Sequence, residues 1–221
     1  MRAAFVDVLV EEPSMEAALR LLLPKMLEGV PFEVYPFRCK DDLLAKLPDR
    51  LRGYSKWLKE TARIVVVVVD RDDDDCVELT KRLEKMAQQA GLTSRTARGQ
   101  GSYQVVNRLA IEELEAWFFG DWFAVRAAYP RVASTVPAKA KYRDPDAVSG
   151  GTWEAFERLL QTAGYFAGGL RKIEAARAVA EHMVPSRNAS ASFCALRRAL
   201  QDLAEGSGEG GGSREAPAPI R

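Results

Sequence analysis

Five of the six positions from Asp70 to Asp75 are acidic, and they follow a run of valines in the stretch VVVVVDRDDDDC. Asp70 ends what reads as a buried strand and Asp72 lies two residues on. Both can therefore project from the carboxyl edge of a sheet, where open α/β folds bind their ligands. Crowded like charges repel one another unless a cation neutralises them or some turn into water. Hard carboxylate oxygens suit Mg²⁺ or Mn²⁺. We read Asp70 and Asp72 as metal ligands, against the plainer alternative of a solvated acidic turn. For Asp73 to Asp75 the plainer reading stands: an acidic first turn that caps the following helix.

A second acidic pair follows the first apolar segment, in VLVEEPS. Glu11 can approach Asp70 if the two strands are neighbours, whereas Glu12 faces the other way or enters the next helix. A third group lies in NRLAIEELEAWFFGD. On a helix Glu112 and Glu115 share a face and Glu113 points elsewhere; Glu115 is the favoured site residue and Glu112 the second, against the plainer alternative that Glu112 and Glu113 only favour the helix dipole. Trp117, Phe118 and Phe119 read as core packing. The single histidine, His182, sits in a helical stretch and leaves little basis for a Ser-His-Asp or Cys-His mechanism. GQGSYQ at 99–104 falls short of GxGxxG, and no GxxxxGK[ST] occurs, so any ATP hydrolysis belongs to a partner.

The elements that must position these residues alternate. Residues 3–10 read as a strand and Ser14 to Leu27 as a helix, with Ser14 as N-cap and Pro24 shortening or kinking it. Phe32 to Phe37 reads as a short strand whose Pro36 marks an end or an edge. Residues 41–60 read as helices broken at Pro48. Ile64 to Val69, apolar on both faces, is the central strand of a covered parallel sheet. Asp75 to Ala90 is a helix ended by Gly91, Tyr103 to Leu109 a further strand, and Ile111 to Phe119 helical. Strand and helix in alternation give an α/β sheet flanked by helices over residues 1–121. Residues 122–204 form a helical appendage packed on that core, with helices at Trp153 to Ala163, Leu170 to Met183 and Phe193 to Leu203, the last capped by Ser192. From Glu205 the chain is rich in Gly, Ser and Pro, and reads as a disordered tail.

With 221 residues, 47% hydrophobic and 29% charged, the chain matches an ordinary globular protein rather than a fibrous or disordered one. Its three cysteines form no CxxC pair, as expected of a reducing cytoplasm, and no segment has the ~18 apolar residues of a membrane helix. A cytoplasmic location is expected. The formal net charge of +1 conceals an asymmetry: residues 139–198 carry 10 basic and 6 acidic side chains. Cations there, chiefly Lys141, Arg143, Lys172 and Arg187, are candidates to hold phosphate.

A glutamate after the first strand and DxD after a later hydrophobic strand resemble the Toprim fold of topoisomerases, primases and overcoming-lysogenization-defect nucleases. More closely, VEEPS, VVDRDDDDC, VNRLAIEELEAWFFGD, YRDPDAVSGGTWE and SRNASASF together resemble a bacterial domain-of-unknown-function family, number 4276, grouped with Toprim-like proteins. The resemblance spans most of residues 3–200. It implies a Toprim-like, mostly parallel sheet and a carboxylate-held Mg²⁺ or Mn²⁺ that serves to cleave or form phosphodiester bonds in DNA or RNA. Glu11 then matches the metal-binding or acid/base glutamate, Asp70 and Asp72 the metal-binding DxD, and Glu115 completes the acidic site. A role in phage defence beside an ATPase is implied as well. Glu12 stands where many Toprim relatives have glycine, and with the neutral overall charge it motivates the alternative of a non-catalytic binding or regulatory module.

Overall fold

Strand β3 (Arg63–Asp70) takes its place from its composition: every residue from Val65 to Val69 is fully buried, so both faces must be covered. In the computed structural model, which describes residues 2–99 and 101–206, β3 lies inside a four-stranded parallel sheet. The order is β2 (Phe32–Pro36), β1 (Phe5–Val10), β3 and β4 (Val105–Ala110). Val8 pairs with Val34 on one side and Val66 on the other, and Val67 pairs with Asn107. Pro36 ends β2 on the sheet edge, where its missing N–H costs no ladder bond.

Alternating side chains divide the core in two. Leu9, Val65, Val67, Val69 and Val105 pack with helices α2 (Lys40–Ser55) and α3 (Cys76–Gln89). Val6, Val8, Val10, Val66, Val68 and Val106 face α1 (Pro13–Leu22) and helices from the C-terminal half. Those are α4 (Leu114–Gly120), α5 (Trp122–Ala128), α6 (Thr152–Thr162), α7 (Lys172–His182) and α8 (Ala191–Glu205). One continuous apolar cluster therefore joins the sheet to these helices. None of the helices among the described residues is long and apolar enough to cross a membrane. The three cysteines are free thiols.

Several local expectations need correcting. Helix α1 begins at Pro13, whose fixed φ suits the first helical position, so Glu12 rather than Ser14 holds the cap position, and Ser14 Oγ bonds the Glu12 carboxylate. The helix ends at Leu22, and Pro24 falls in the one-turn 3-10 helix Leu23–Lys25. Helix α2 is not broken at Pro48 but runs through it. Its Leu43, Leu44, Leu47, Leu51 and Tyr54 form one buried stripe, whose packing offsets the backbone bond that proline cannot donate. Residues 111–113 are not helical. Glu112 has φ +62, so it leaves the face it was expected to share with Glu115. Helix α5 was not expected from the sequence at all. Helix α8 starts at Ala191 with Ser190, not Ser192, as its cap. Residues 205 and 206 close the described chain, Glu205 as the last residue of α8; the remainder of the expected tail lies outside the described residues.

A continuous α2 predicts that Pro48→Ala stabilises the protein. The restored N–H gains a helical bond and loses only proline's restriction of the unfolded chain, for a net of about 1–2 kcal/mol. Urea unfolding of the two proteins checks this, and destabilisation would place a real break at Pro48.

Candidate functional site

The carboxyl ends of the two inner strands carry the acidic residues. Glu11 directly follows β1 and is 7% exposed; its Oε2 accepts the backbone N–H of Asp70 at 3.0 Å, which ties the ends of β1 and β3 together. Asp70, the last residue of β3, is 4% exposed, and its Oδ1 has no hydrogen-bond partner. Glu115, one residue into α4, is 3% exposed. Three carboxylates are thus withdrawn from water at one edge of the sheet. Burial pushes the Glu115 carboxyl up to about 7, against the opposing pull of Lys172. It does the same for Glu11, also to about 7, against the bond from the Asp70 N–H, with Asp72 adding repulsion. Asp70 is raised well above the ordinary aspartate range by burial, then by repulsion from Glu11 and Glu115.

Strand alternation splits this group across the sheet edge. Asp70 continues the row of Val66 and Val68 toward α1 and α4, the side that carries Glu115. Glu11 continues the row of Leu9 and lines a recess of about 380 Å³ with Lys40, Asp72 and Asp74 on the α2 side. Asp72 itself has φ +48, and its N–H bonds the carbonyl of Glu112, the other left-handed non-glycine at these strand ends, at 2.8 Å. That bond and the Arg71–Glu112 ion pair hold the β3 and β4 ends together, so Glu112 serves the frame of the site. Asp72 lies 2.6 Å from Lys40 Nζ, and Asp74 lies 2.8 Å from the same atom. Asp75 caps α3 by accepting the N–H groups of Val77 and Glu78, and so does what the sequence reading asked of the end of the acidic run.

Lys40 is a residue the sequence reading missed. It also bonds the Arg71 carbonyl at 2.9 Å. Burial disfavours its charge, but the bonds to Asp72 and Asp74 prevail and its pKa is raised. Glu12, at the cap position of α1, also contributes: its charge reaches Glu11, Asp70 and Glu115. Glu113 does point elsewhere, accepting the Thr152 hydroxyl at 2.7 Å and the Trp153 N–H at 2.9 Å at the start of α6.

The four phosphate candidates fare differently. Lys172, at the first position of α7, lies over the Trp153 ring and faces the acids; burial lowers its pKa, but Glu115 and Glu12 raise it further. Lys141 and Arg143 are exposed in and beside the 3-10 turn Ala140–Tyr142. Arg187 is engaged elsewhere: its Nε and Nη2 bond the fully buried Asp121 at 2.7 and 2.9 Å.

Among the described residues no three carboxylate, thiol or imidazole groups are gathered as a ready metal site. The donor chemistry nevertheless suits a hard divalent cation: Glu11, Asp70 and Asp72 offer oxygen ligands, two of them are desolvated, and Asp70 Oδ1 is unpartnered. Within the set, Glu11 and Asp72 line one recess, Asp72 is paired with Lys40, and Asp70 turns to the other face of the sheet.

The raised carboxyls have a consequence for stability. An acid whose folded pKa lies above its unfolded one binds more protons when folded, so its contribution is complete below the ordinary carboxylate range and is lost as pH rises through about 7. With chelator present, stability should fall over that window by up to about 3 kcal/mol on account of Glu115 alone. Glu115→Gln should flatten the profile in pH-dependent urea unfolding; an unchanged slope would show that Glu115 does not titrate there.

No curated protein matches the chain. Among solved structures, the C-terminal region of the Xanthomonas campestris pv. campestris OLD protein is similar at 17% identity, covering 90% of this chain and 94% of that one with a TM-score of 0.35, too distant a likeness to bear on the site. The profile of a family described as a domain of unknown function (DUF4276) matches residues 10–204. Since that match takes in nearly all of the described chain, from the end of β1 to α8, the protein belongs to this family.

Proposed function

We propose that the chain is a divalent-metal-dependent, phosphodiester-cleaving protein of Toprim type. The observation that carries this reading is Asp70: a desolvated carboxylate with an unpartnered oxygen, beside buried Glu11 and Glu115, at the carboxyl edge of a parallel sheet. A fold tolerates such an arrangement when a cation or substrate completes it. Glu11, Asp70 and Asp72 would hold Mg²⁺ or Mn²⁺. A cation bound there supplies polarisation of a phosphoryl oxygen and lowers the pKa of water, so the chemistry needs no histidine.

The remaining work falls to the chain's own groups. Glu115, with a carboxyl near neutrality, can accept or return a proton at its buried oxygens. Lys172 brings a positive charge to the same side of the sheet edge, where it can hold a non-bridging phosphate oxygen, and Lys141 and Arg143 offer exposed charges for the nucleic-acid backbone beyond it. Arg187, held by Asp121, positions the chain before α8 instead. The substrate is DNA or RNA. A role in phage defence beside a separate ATPase is supported by the family resemblance alone.

Purified protein incubated with DNA and RNA and Mg²⁺ or Mn²⁺ should release shorter products, and chelator should stop it. Asp70→Asn should lower cleavage by about 100-fold or more. It should also leave the metal-free fold as stable as before or more so, because a buried charge is removed. Equal cleavage by both proteins sinks the assigned site. Absence of cleavage by either, with and without a neighbouring ATPase, favours a non-catalytic binding module, the reading that the unassembled ligand set also supports.

A further inference from the structure

Lys40 occupies an electrostatically awkward place. It is the first residue of α2, at the positive end of the helix dipole, where a cation is disfavoured. Its side chain is only 14% exposed, so its charge is partly desolvated as well. Three oxygens repay both costs: Asp72 Oδ2 at 2.6 Å, Asp74 Oδ2 at 2.8 Å and the Arg71 carbonyl at 2.9 Å. An ammonium ringed by two carboxylates and a carbonyl is where a small cation would sit, and this one is tethered by four methylenes. Glu11 lines the same recess. Asp72, meanwhile, holds a left-handed backbone at φ +48 that leaves its carboxylate on Lys40.

We propose that Lys40 is a built-in counter-ion of the carboxylate site, neutralising Asp72 beside Glu11 in the metal-free protein and giving way when a divalent cation binds. This rests on the metal-dependent reading above. It explains how Asp72 is accommodated beside other acids without a metal: one of the three donors is already neutralised. Metal binding must then break the Lys40–Asp72 pair, so the lysine weakens affinity and sets the cation concentration at which the site fills. On binding, the ammonium is released at the rim of the recess but still held by Asp74, close enough to meet an anionic substrate.

The test measures Mn²⁺ binding directly, from the electron paramagnetic resonance signal of free Mn²⁺, without substrate. Lys40→Met and Lys40→Gln should bind Mn²⁺ roughly tenfold more tightly than the unaltered protein, the scale expected on removing one competing charge a few ångströms away. Lys40→Arg, which keeps the charge, should stay near the unaltered protein. Asp70→Asn should abolish tight binding in either background. The rise in Tm on adding Mn²⁺ should be larger in the Met and Gln variants, which provides a second readout if either is less stable without metal. If those variants bind no more tightly than the unaltered protein while Asp70→Asn still abolishes binding, the role of Lys40 is overturned and the metal site stands. If Mn²⁺ binds none of the proteins, or binds regardless of Asp70, both fall.

Discussion

The arrangement of this molecule depends on one unfavourable interaction, the burial of the Asp70 carboxylate. Strand β3 is valine on both faces and lies between β1 and β4, so its last residue leaves the sheet while still covered by helices. Withdrawing a carboxylate from water costs several kcal/mol unless it is paired or protonated. Here repulsion from Glu11 and Glu115 adds to that cost rather than offsetting it. What surrounds the site limits the damage. Glu11 is anchored on the Asp70 N–H, and the strand ends are tied by the bond from Asp72 to Glu112. Two lysines approach from opposite sides of the sheet edge.

Those lysines share an unusual placement. Lys40 is the first residue of α2 and Lys172 the first of α7, and a cation is disfavoured at the start of a helix. Each faces carboxylates, Lys40 those of Asp72 and Asp74, Lys172 those of Glu115 and Glu12. The position of Lys172 depends in turn on how α7 is docked. Helix α7 packs on α1, and Lys25, just past α1, donates to the carbonyls of Ala180, Glu181 and Met183 at 3.1, 2.9 and 2.9 Å, capping the far end of α7. The start of α8 is fixed by Asp146, which accepts the Ser190 hydroxyl at 2.8 Å and the Ser192 N–H at 3.0 Å. The motifs YRDPD and SRNASAS thus meet in space as a helix-capping network, and the C-terminal helices contribute to the acidic site itself.

What the sequence disclosed was what is local. The valine run of β3, the alternation of strand and helix, and the acids at the strand ends each follow from a handful of neighbouring residues. Pro48 misled because the five buried side chains of α2 act together across the proline, and that cooperation appears only once α2 packs on the sheet. Ser14 and Ser192 are plausible caps by residue type, but Pro13 and Ser190 fix the helix starts elsewhere. Glu112 and Glu115 share a face only if residue 112 is helical, and its positive φ removes it. Lys40 was invisible for a different reason. Nothing near it in sequence distinguishes it from any helix-surface lysine, and its partners lie more than 30 positions away, brought close by the crossover that places α2 beside the end of β3.

The three buried aspartates among the described residues show why burial alone does not mark a functional site. Asp7 is held by Arg63, whose Nη2 reaches both carboxylate oxygens at 2.9 Å. Asp121 is held by Arg187 and also accepts the Val184 N–H at 2.9 Å and the Ala124 N–H at 3.3 Å. In both cases the desolvated charge meets a guanidinium that matches its planar shape, and the result is a structural clamp. Asp70 has the same residue type and comparable burial but no guanidinium. One of its oxygens bonds nothing, and its charged neighbours are mainly other acids. A chain that twice supplies an arginine to a buried aspartate evidently has the means to supply a third. Its absence at Asp70 leaves the one buried aspartate among the described residues that has an unpartnered oxygen, which is where an exchangeable cation has room that a permanent guanidinium would take.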